Sequence, residues 1–310
     1  MAAVMAFYSP DPAMHQTLAD LVRALELDGR PGLAQQLSIT WLRFDRSQLG
    51  AAADAGPEPF WRLLPPGASW GGERQRYPAS VVKLVYQVAT EAWLQAGLLV
   101  DGPELRRALA DMIQHSSNDA TGLVVDLLTG TTSGPDLAPA AWTVWQQQRQ
   151  LVNQWLAQLG WPELEGVNAC QKTWGDGPFG RESRFYGEQQ ENRNRLSTDA
   201  TARLLLAVIA SAVVSPPAGH RMRTLLDRSL DPGERAVDPE NQVDGFLGEG
   251  LPVTARLWSK AGWMSQARHD AAYVECADHR PMLLVVFSEG EDCANDTRLL
   301  PEIARTLLRA

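Results

Sequence analysis

The chain is poor in the residues that mark several protein classes. It has three cysteines in 310 residues, Cys170, Cys276 and Cys293, an odd and widely spaced set that makes no disulfide framework. Its five histidines show neither HxxxH nor CxxC-type company, so nothing calls for a metal or a cofactor. Basic residues are outnumbered, 28 Lys and Arg against 37 Asp and Glu, leaving a net charge of −9. That is the wrong sign for a nucleic-acid partner or an anionic membrane surface. No apolar run approaches the roughly 18–20 residues of a membrane span. The opening stretch, MAAVMAFYSPDPAMHQ, has no basic segment ahead of its short apolar run and no convincing small-residue cleavage site. A cytoplasmic protein is therefore expected, with a periplasmic location as the alternative.

What is present suits a globular fold. Hydrophobic residues make up 45% and charged residues 21%, enough for one large domain or two tightly packed ones. Residues 14–29 place Leu18, Leu21, Val22 and Leu25 at helical spacing, and LSITWLRF (37–44) reads as a strand. A Pro/Gly-rich loop then leads to a helix over 77–94, with Pro78 at its start. Helices over 103–115 and 119–130 are joined by SSN, and a Trp- and Gln-rich helix covers about 139–159. After a long polar loop, Ser197 or Thr198 caps the helix STDATARLLLAV. Beyond a helix near 220–230 the period becomes two, giving strands over 253–262, 267–277 and 281–290 before a terminal helix. The expected fold is α/β (α+β), one domain over 1–310. Its sheet lobe takes about 1–76 and 201–310, and an inserted helical lobe takes about 77–200.

One helix raises a chemical question. Apolar residues surround the 77–94 segment on nearly every side, as in a buried helix, yet Lys83 sits in its first turn. Ser80 lies three residues earlier on the same face. Burial disfavours a charged amine and leaves a neutral base beside that hydroxyl. The helix N-terminus favours negative charge developing on a bound carbonyl. In HSSND (115–119) a turn carries Ser116, a hydroxyl suited to proton relay, and Asn118, an amide suited to substrate hydrogen bonding. In LWSKAGW (257–263) Lys260 supplies positive charge on a strand, and Gly262 leaves room for a substrate backbone.

In the order SxxK, SxN, KxG, these motifs resemble the penicillin-recognising serine enzymes, the class A β-lactamase family most closely. The resemblance covers about residues 35–310 and includes element order. It implies a serine β-lactamase-like fold, an antiparallel sheet flanked by terminal helices plus an all-helical insertion, with the active site between the lobes. It implies hydrolysis of an amide or ester, in a β-lactam, peptide or simple ester, through an acyl-enzyme. Ser80 would be the nucleophile, Lys83 its base, and Ser116 the relay to the leaving nitrogen. Lys260 would support Ser116 and the substrate carboxylate. Asn118, Ala261, Gly262, Trp263 and Arg268 would contact substrate, with the N–H groups of Ser80 and Trp263 as oxyanion hole.

The sequence also departs from that pattern. Ala261 stands where the family has a threonine whose hydroxyl meets a β-lactam carboxylate, with Ser259, Ser265 or Arg268 as substitutes. Ser117 replaces an aspartate. Of the E-x-x-x-N that carries the water-activating glutamate, EQQEN keeps the spacing, making Glu188 the deacylation base to test. The alternatives are a D-Ala peptidase-like enzyme or esterase that releases β-lactams slowly, and a degenerate protein that binds ligand without turnover.

Overall fold

The computed structural model describes residues 6–54 and 56–310. The first five residues of the stretch read above for an export signal lie outside the described residues. Seven strands form a single sheet in the order β1-β3-β2-β7-β6-β5-β4. Its antiparallel centre is β2 (Leu37–Arg43), β7 (His279–Glu289), β6 (Ala267–Cys276) and β5 (Arg256–Met264). These are the four strands expected from the sequence. They are apolar along most of their length because helices cover both faces, and every residue of β2 from Leu37 to Leu42 is buried.

The other three strands, β1 (Ser9–Pro10), β3 (Pro66–Trp70) and β4 (Asp227–Arg228), were not legible. PGASW reads as loop because a proline, a glycine and small residues hide any alternation. It becomes β3 through its neighbour, pairing Ile39 with Trp70 and Leu42 with Gly67.

The terminal helices Pro12–Leu27 and Leu299–Arg309 cover one face, burying Leu18, Val22, Ile303 and Leu307 against Ile39 and Leu284. The Thr198–Ala210 helix lies in the core of the other face with Leu283, Val285 and Phe287. Between β3 and β4 the chain makes the helical lobe around Lys83–Gln95, Pro103–Gln114 and Asn118–Thr129. The helix expected over 139–159 is two, Pro139–Arg149 and Leu151–Gln158, because Gln150 leaves helical geometry at φ −90°, ψ 1°. Among the described residues, no helix is long and apolar enough to cross a membrane.

Candidate active site

The segment before Ser80 is tied to the sheet. Arg76 is buried, and its Nε donates to Ser38 Oγ at 2.9 Å while Nη2 donates to Gln35 O at 2.8 Å and Nη1 pairs with Glu289. His269 on β6 accepts from the Ser288 N–H through Nδ1 at 3.0 Å, which places the ring proton on Nε2. Nε2 then donates to Tyr77 O at 2.8 Å. Complete burial pushes this histidine down to about 4, so it stays neutral.

The chain next turns sharply at Ala79, whose φ of +45° is rarely adopted by an L-residue and costs on the order of 1–3 kcal/mol. A tight turn, Ala79–Val82, runs straight into the α-helix, so Ser80 sits in the turn just before the helix that Lys83 begins. Gly262 explains how β5 comes so close. A Cβ there would lie 2.9 Å from Ser80 N and 3.0 Å from both Pro78 O and Val81 N. The sequence suggested room for a substrate backbone; what the glycine admits in the structure is the Ser80-bearing turn of this chain.

Ser116 has φ of +53° and precedes Ser117, whose hydroxyl caps the Asn118–Thr129 helix by accepting from Ala120 N–H at 3.2 Å. Two amines converge on the Ser116 hydroxyl. Lys83 Nζ lies 3.2 Å from Ser116 Oγ and 2.9 Å from Asn118 Oδ1, and it also donates to Ser116 O. Lys260 Nζ lies 3.0 Å from Ser116 Oγ and 2.8 Å from Ala261 O, and it also donates to Gln242 Oε1. Both lysines have no exposed surface. Burial lowers Lys83 from 10.5 to about 7, and it is the sole cause. Lys260 lies well below its ordinary value through burial and then the nearby charges of Lys83 and Arg228, with Asp270 opposing.

The outer edge of β5 is open beyond β4, which pairs only with Leu257 and Trp258. The Ala261 N–H points to that edge, donating to Gln242 Oε1 at 3.3 Å. Successive residues alternate direction in a strand, so the Trp263 N–H faces the same edge, one residue beyond the Gly262–Ser80 contact. The Trp263 side chain is 55% exposed at the mouth and donates Nε1 to Ala294 O at 3.0 Å. A groove of about 750 Å³ opens beside Asn118, walled by Lys172, Thr173 and Trp174.

That wall is pinned from behind. Tyr86 OH donates to Gln171 O at 2.5 Å, and Asn194 Oδ1 accepts from the N–H of Cys170 and Gln171 at 3.1 and 2.9 Å. Lys172 pairs with Asp126 at 2.7 Å, and the fully buried Arg149 pairs with the fully buried Glu182.

Lys83, Ser116, Asn118 and Lys260 are thus joined by hydrogen bonds. Ser80 is half-buried one turn before Lys83, and among the described residues its hydroxyl makes no hydrogen bond. Three expectations need correction. The Ala261 side chain faces the core under the terminal helices, and its backbone groups are taken by Gln242 and Lys260. Arg268 is buried, donating to Ala294 O at 2.9 Å and Gly245 O at 3.3 Å, so its guanidinium is spent on holding loops together. Glu188 lies in an exposed turn, and among the described residues its side chain makes no hydrogen bond and no carboxylate is hydrogen-bonded to Lys83.

The sequence reading missed Gln242 and Arg228. Gln242 Nε2 donates to Ile113 O at 3.0 Å and Gln114 O at 2.9 Å, while its Oε1 takes the Lys260 ammonium. Arg228 reaches Ile113 O at 2.7 Å, Gln114 O at 3.1 Å and Ser259 O at 3.3 Å. Both staple the helix end before Ser116 to β5. Gln242 sits in no periodic or motif-bearing segment, and Arg228 falls within the helix expected near 220–230, which stops at Leu226 and leaves Arg228 on β4. Among the described residues, no group of three His, Cys, Asp or Glu is placed to hold a metal ion.

The model of the β-lactamase enzyme family matches residues 94–310, well over half of the chain. The chain belongs to the β-lactamase enzyme family. The match begins after Ser80 and Lys83, and the structure brings Lys83 to the Ser116 and Lys260 it contains. Solved structures with the same fold include a β-lactamase from Sphaerobacter thermophilus, 18% identical over 95% of this chain and 96% of that one, with a TM-score of 0.62. PBP-A is 15% identical over 98% of each chain, with a TM-score of 0.62. A β-lactamase from Chitinophaga pinensis is 17% identical over 95% of this chain and 98% of that one, with a TM-score of 0.61. At these identities the likeness is one of fold. Among curated proteins none matches the sequence. As a member of the β-lactamase enzyme family, the protein is a hydrolase with a small-molecule substrate.

Proposed function

We propose that this β-lactamase-family protein cleaves an amide or ester through an acyl-enzyme on Ser80. The observation that carries the reading is the Ser116 hydroxyl held between two buried amines, 3.2 Å from Lys83 and 3.0 Å from Lys260. With its pKa near 7, Lys83 is substantially neutral at physiological pH. Its two N–H bonds then go to Ser116 O and Asn118 Oδ1, which can only accept, and its lone pair is left for a proton.

Ser80 Oγ attacks the substrate carbonyl carbon and its proton passes to Lys83 Nζ. Charge gathers on the carbonyl oxygen, where the N–H groups of Ser80 and Trp263 stabilise it. Ser116 gives its proton to the leaving nitrogen or oxygen and takes one from Lys83. The carbon–leaving-group bond breaks, and Ser80 is left as an ester. Asn118, with Oδ1 engaged by Lys83, keeps its Nδ2 hydrogens for the acyl side of the substrate.

Water must then cleave the ester, and among the described residues no carboxylate is hydrogen-bonded to Lys83, whose partners are Ser116 and Asn118. This supports an esterase- or peptidase-like enzyme from which bulky β-lactam acyl groups leave slowly. A PBP-A variant, 14% identical to this chain with a TM-score of 0.62, has been captured as an acyl-enzyme complex with penicillin G, which agrees with that reading.

Labelling with a neutral fluorophosphonate, followed by intact mass and peptide mapping, tests the proposal. The expected result is one adduct, on Ser80, absent from Ser80→Ala. An adduct on Ser116, or none, overturns it. With penicillin the acyl-enzyme should accumulate; turnover at ~10²–10³ per second, in the upper range for enzymes, contradicts slow deacylation.

A further inference from the structure

We propose that the substrate is uncharged on its leaving-group side, a neutral ester or amide in place of one that ends in a carboxylate. The inference rests on the hydrolase reading above, because it takes Ser116 as the proton donor and so places the leaving group beside Ser116 and Lys260. An anion arriving there needs N–H or O–H donors, and every cation of that wall is already engaged.

Lys260 is the nearest charge to Ser116 Oγ on the strand side, yet it has no exposed surface. An ammonium carries three hydrogens. Lys260 has three acceptors around it, Ser116 Oγ, Ala261 O and Gln242 Oε1. A neutral amine has one hydrogen fewer and is still more completely engaged. The orientation of Gln242 is set by its other end, where Nε2 donates to the carbonyls of Ile113 and Gln114, so Oε1 must face Lys260. Lys83 likewise has three acceptors, Ser116 O, Ser116 Oγ and Asn118 Oδ1.

The remaining donors point elsewhere. Arg228 turns its guanidinium onto main-chain carbonyls of Ile113, Gln114 and Ser259. Arg268 is buried on Ala294 O and Gly245 O. Residue 261 has no hydroxyl, and Ala261 gives its N–H to Gln242. Beyond Gln242 lies a groove of about 330 Å³ that carries Asp227, Glu234 and Asp238, while its Arg235 is paired with Asp244. A carboxylate would lose its water there, find Arg228 and Arg235 already engaged, with the side chains of Gln114, His115 and Ser229 as its remaining donors, and face three acids. A neutral leaving group avoids all three costs.

A matched pair of phenylacetyl esters tests this, one of meta-hydroxybenzoate and one of meta-hydroxybenzamide. Their leaving phenols are similarly acidic, and Ser80 acylation rates are normalised to the hydroxide-catalysed rates. The neutral amide-bearing ester should acylate the wild-type protein about tenfold faster. In Gln242→Ala one Lys260 hydrogen is released, and the ratio should move several-fold toward the carboxylate. Equal or faster wild-type acylation by the carboxylate ester overturns the inference while leaving the hydrolase reading intact. A folded Gln242→Ala variant with an unchanged ratio also overturns it. Should that variant fail to fold, the wild-type pair alone decides. Acylation by neither ester overturns the inference alone where fluorophosphonate still labels Ser80 in the same sample, and removes the hydrolase reading with it where Ser80 is not labelled.

Discussion

Replacing Gly262 by alanine isolates the contact that sets Ser80 against the strand. The glycine lies within β5 and has no left-handed φ, so alanine has no backbone strain to overcome and the effect is purely steric. The new Cβ would meet three backbone atoms at 2.9–3.0 Å, where ordinary contacts begin at 3.4 Å. A separation of about half an ångström must therefore be found, and backbone cannot swing away as a side-chain tip can. The turn is also held from behind by His269 on Tyr77 O and by Arg76. Overpacking of this kind costs about 1–3 kcal/mol. A misplacement of 1 Å can cost ~10²-fold in rate, so half of that should slow acylation roughly tenfold. Urea midpoints and the burst rate with an activated ester measure the two effects. Gly102→Ala is the control: nothing lies within 4 Å of its Cβ, and its stability should change by less than about 1 kcal/mol. A Gly262→Ala protein with an unchanged midpoint and a burst rate within twofold of wild type would refute the reasoning.

Three further expectations follow from buried charge. Acylation should rise with pH through about 7 as Lys83 loses its proton; Lys83→Ala should slow it ~10²–10⁴-fold, and Lys83→Arg should not rescue, since guanidinium stays protonated. A burst rate in the Arg variant close to wild type would make Lys83 structural. His269 sits at about 4 in the folded protein against 6.5 ordinarily, so between those values the unfolded chain binds more protons. Its contribution to stability is therefore complete above pH 6.5 and falls as pH drops toward 4, by about 3 kcal/mol. Urea unfolding from pH 7.5 to 4 should show this slope flattened in His269→Gln, and an unaltered slope counts against it. Glu182→Gln leaves the fully buried Arg149 with only the more distant carboxylate of Asp126, at 3.7 Å, and should cost about 3 kcal/mol in the same assay. A loss below about 1 kcal/mol would show that the pair does not brace the loop beside Asn118.

Local pattern carried much of this protein. The runs read as strands at 253–262, 267–277 and 281–290 are strands at 256–264, 267–276 and 279–289, because a half-buried or buried pleat must be apolar at fixed spacing. The Ser80–Lys83 spacing is likewise local, since one helical turn is enough to share a face. Short or irregular elements are different. β3 exists because β2 offers it a hydrogen-bonding edge, and nothing within PGASW announces that. Glu188 matched a motif by spacing, yet spacing does not say which way a loop folds, and it lies in the solvent.

The sequence by itself determined the order of the main elements, because helical and strand periods are properties of neighbouring residues, and it singled out Ser80, Lys83, Ser116, Asn118 and Lys260 through the family that their motifs resemble. Only the tertiary structure decided what those groups have left to offer a substrate. Gln242 binds Lys260 from 18 residues away and Ile113 from 129. His269 braces Tyr77 from 192 residues away, and Gly262 touches the backbone of Ser80. Hydrogen-bond donors are finite, and which acceptor takes each one is settled by distance in space, which sequence separation does not encode.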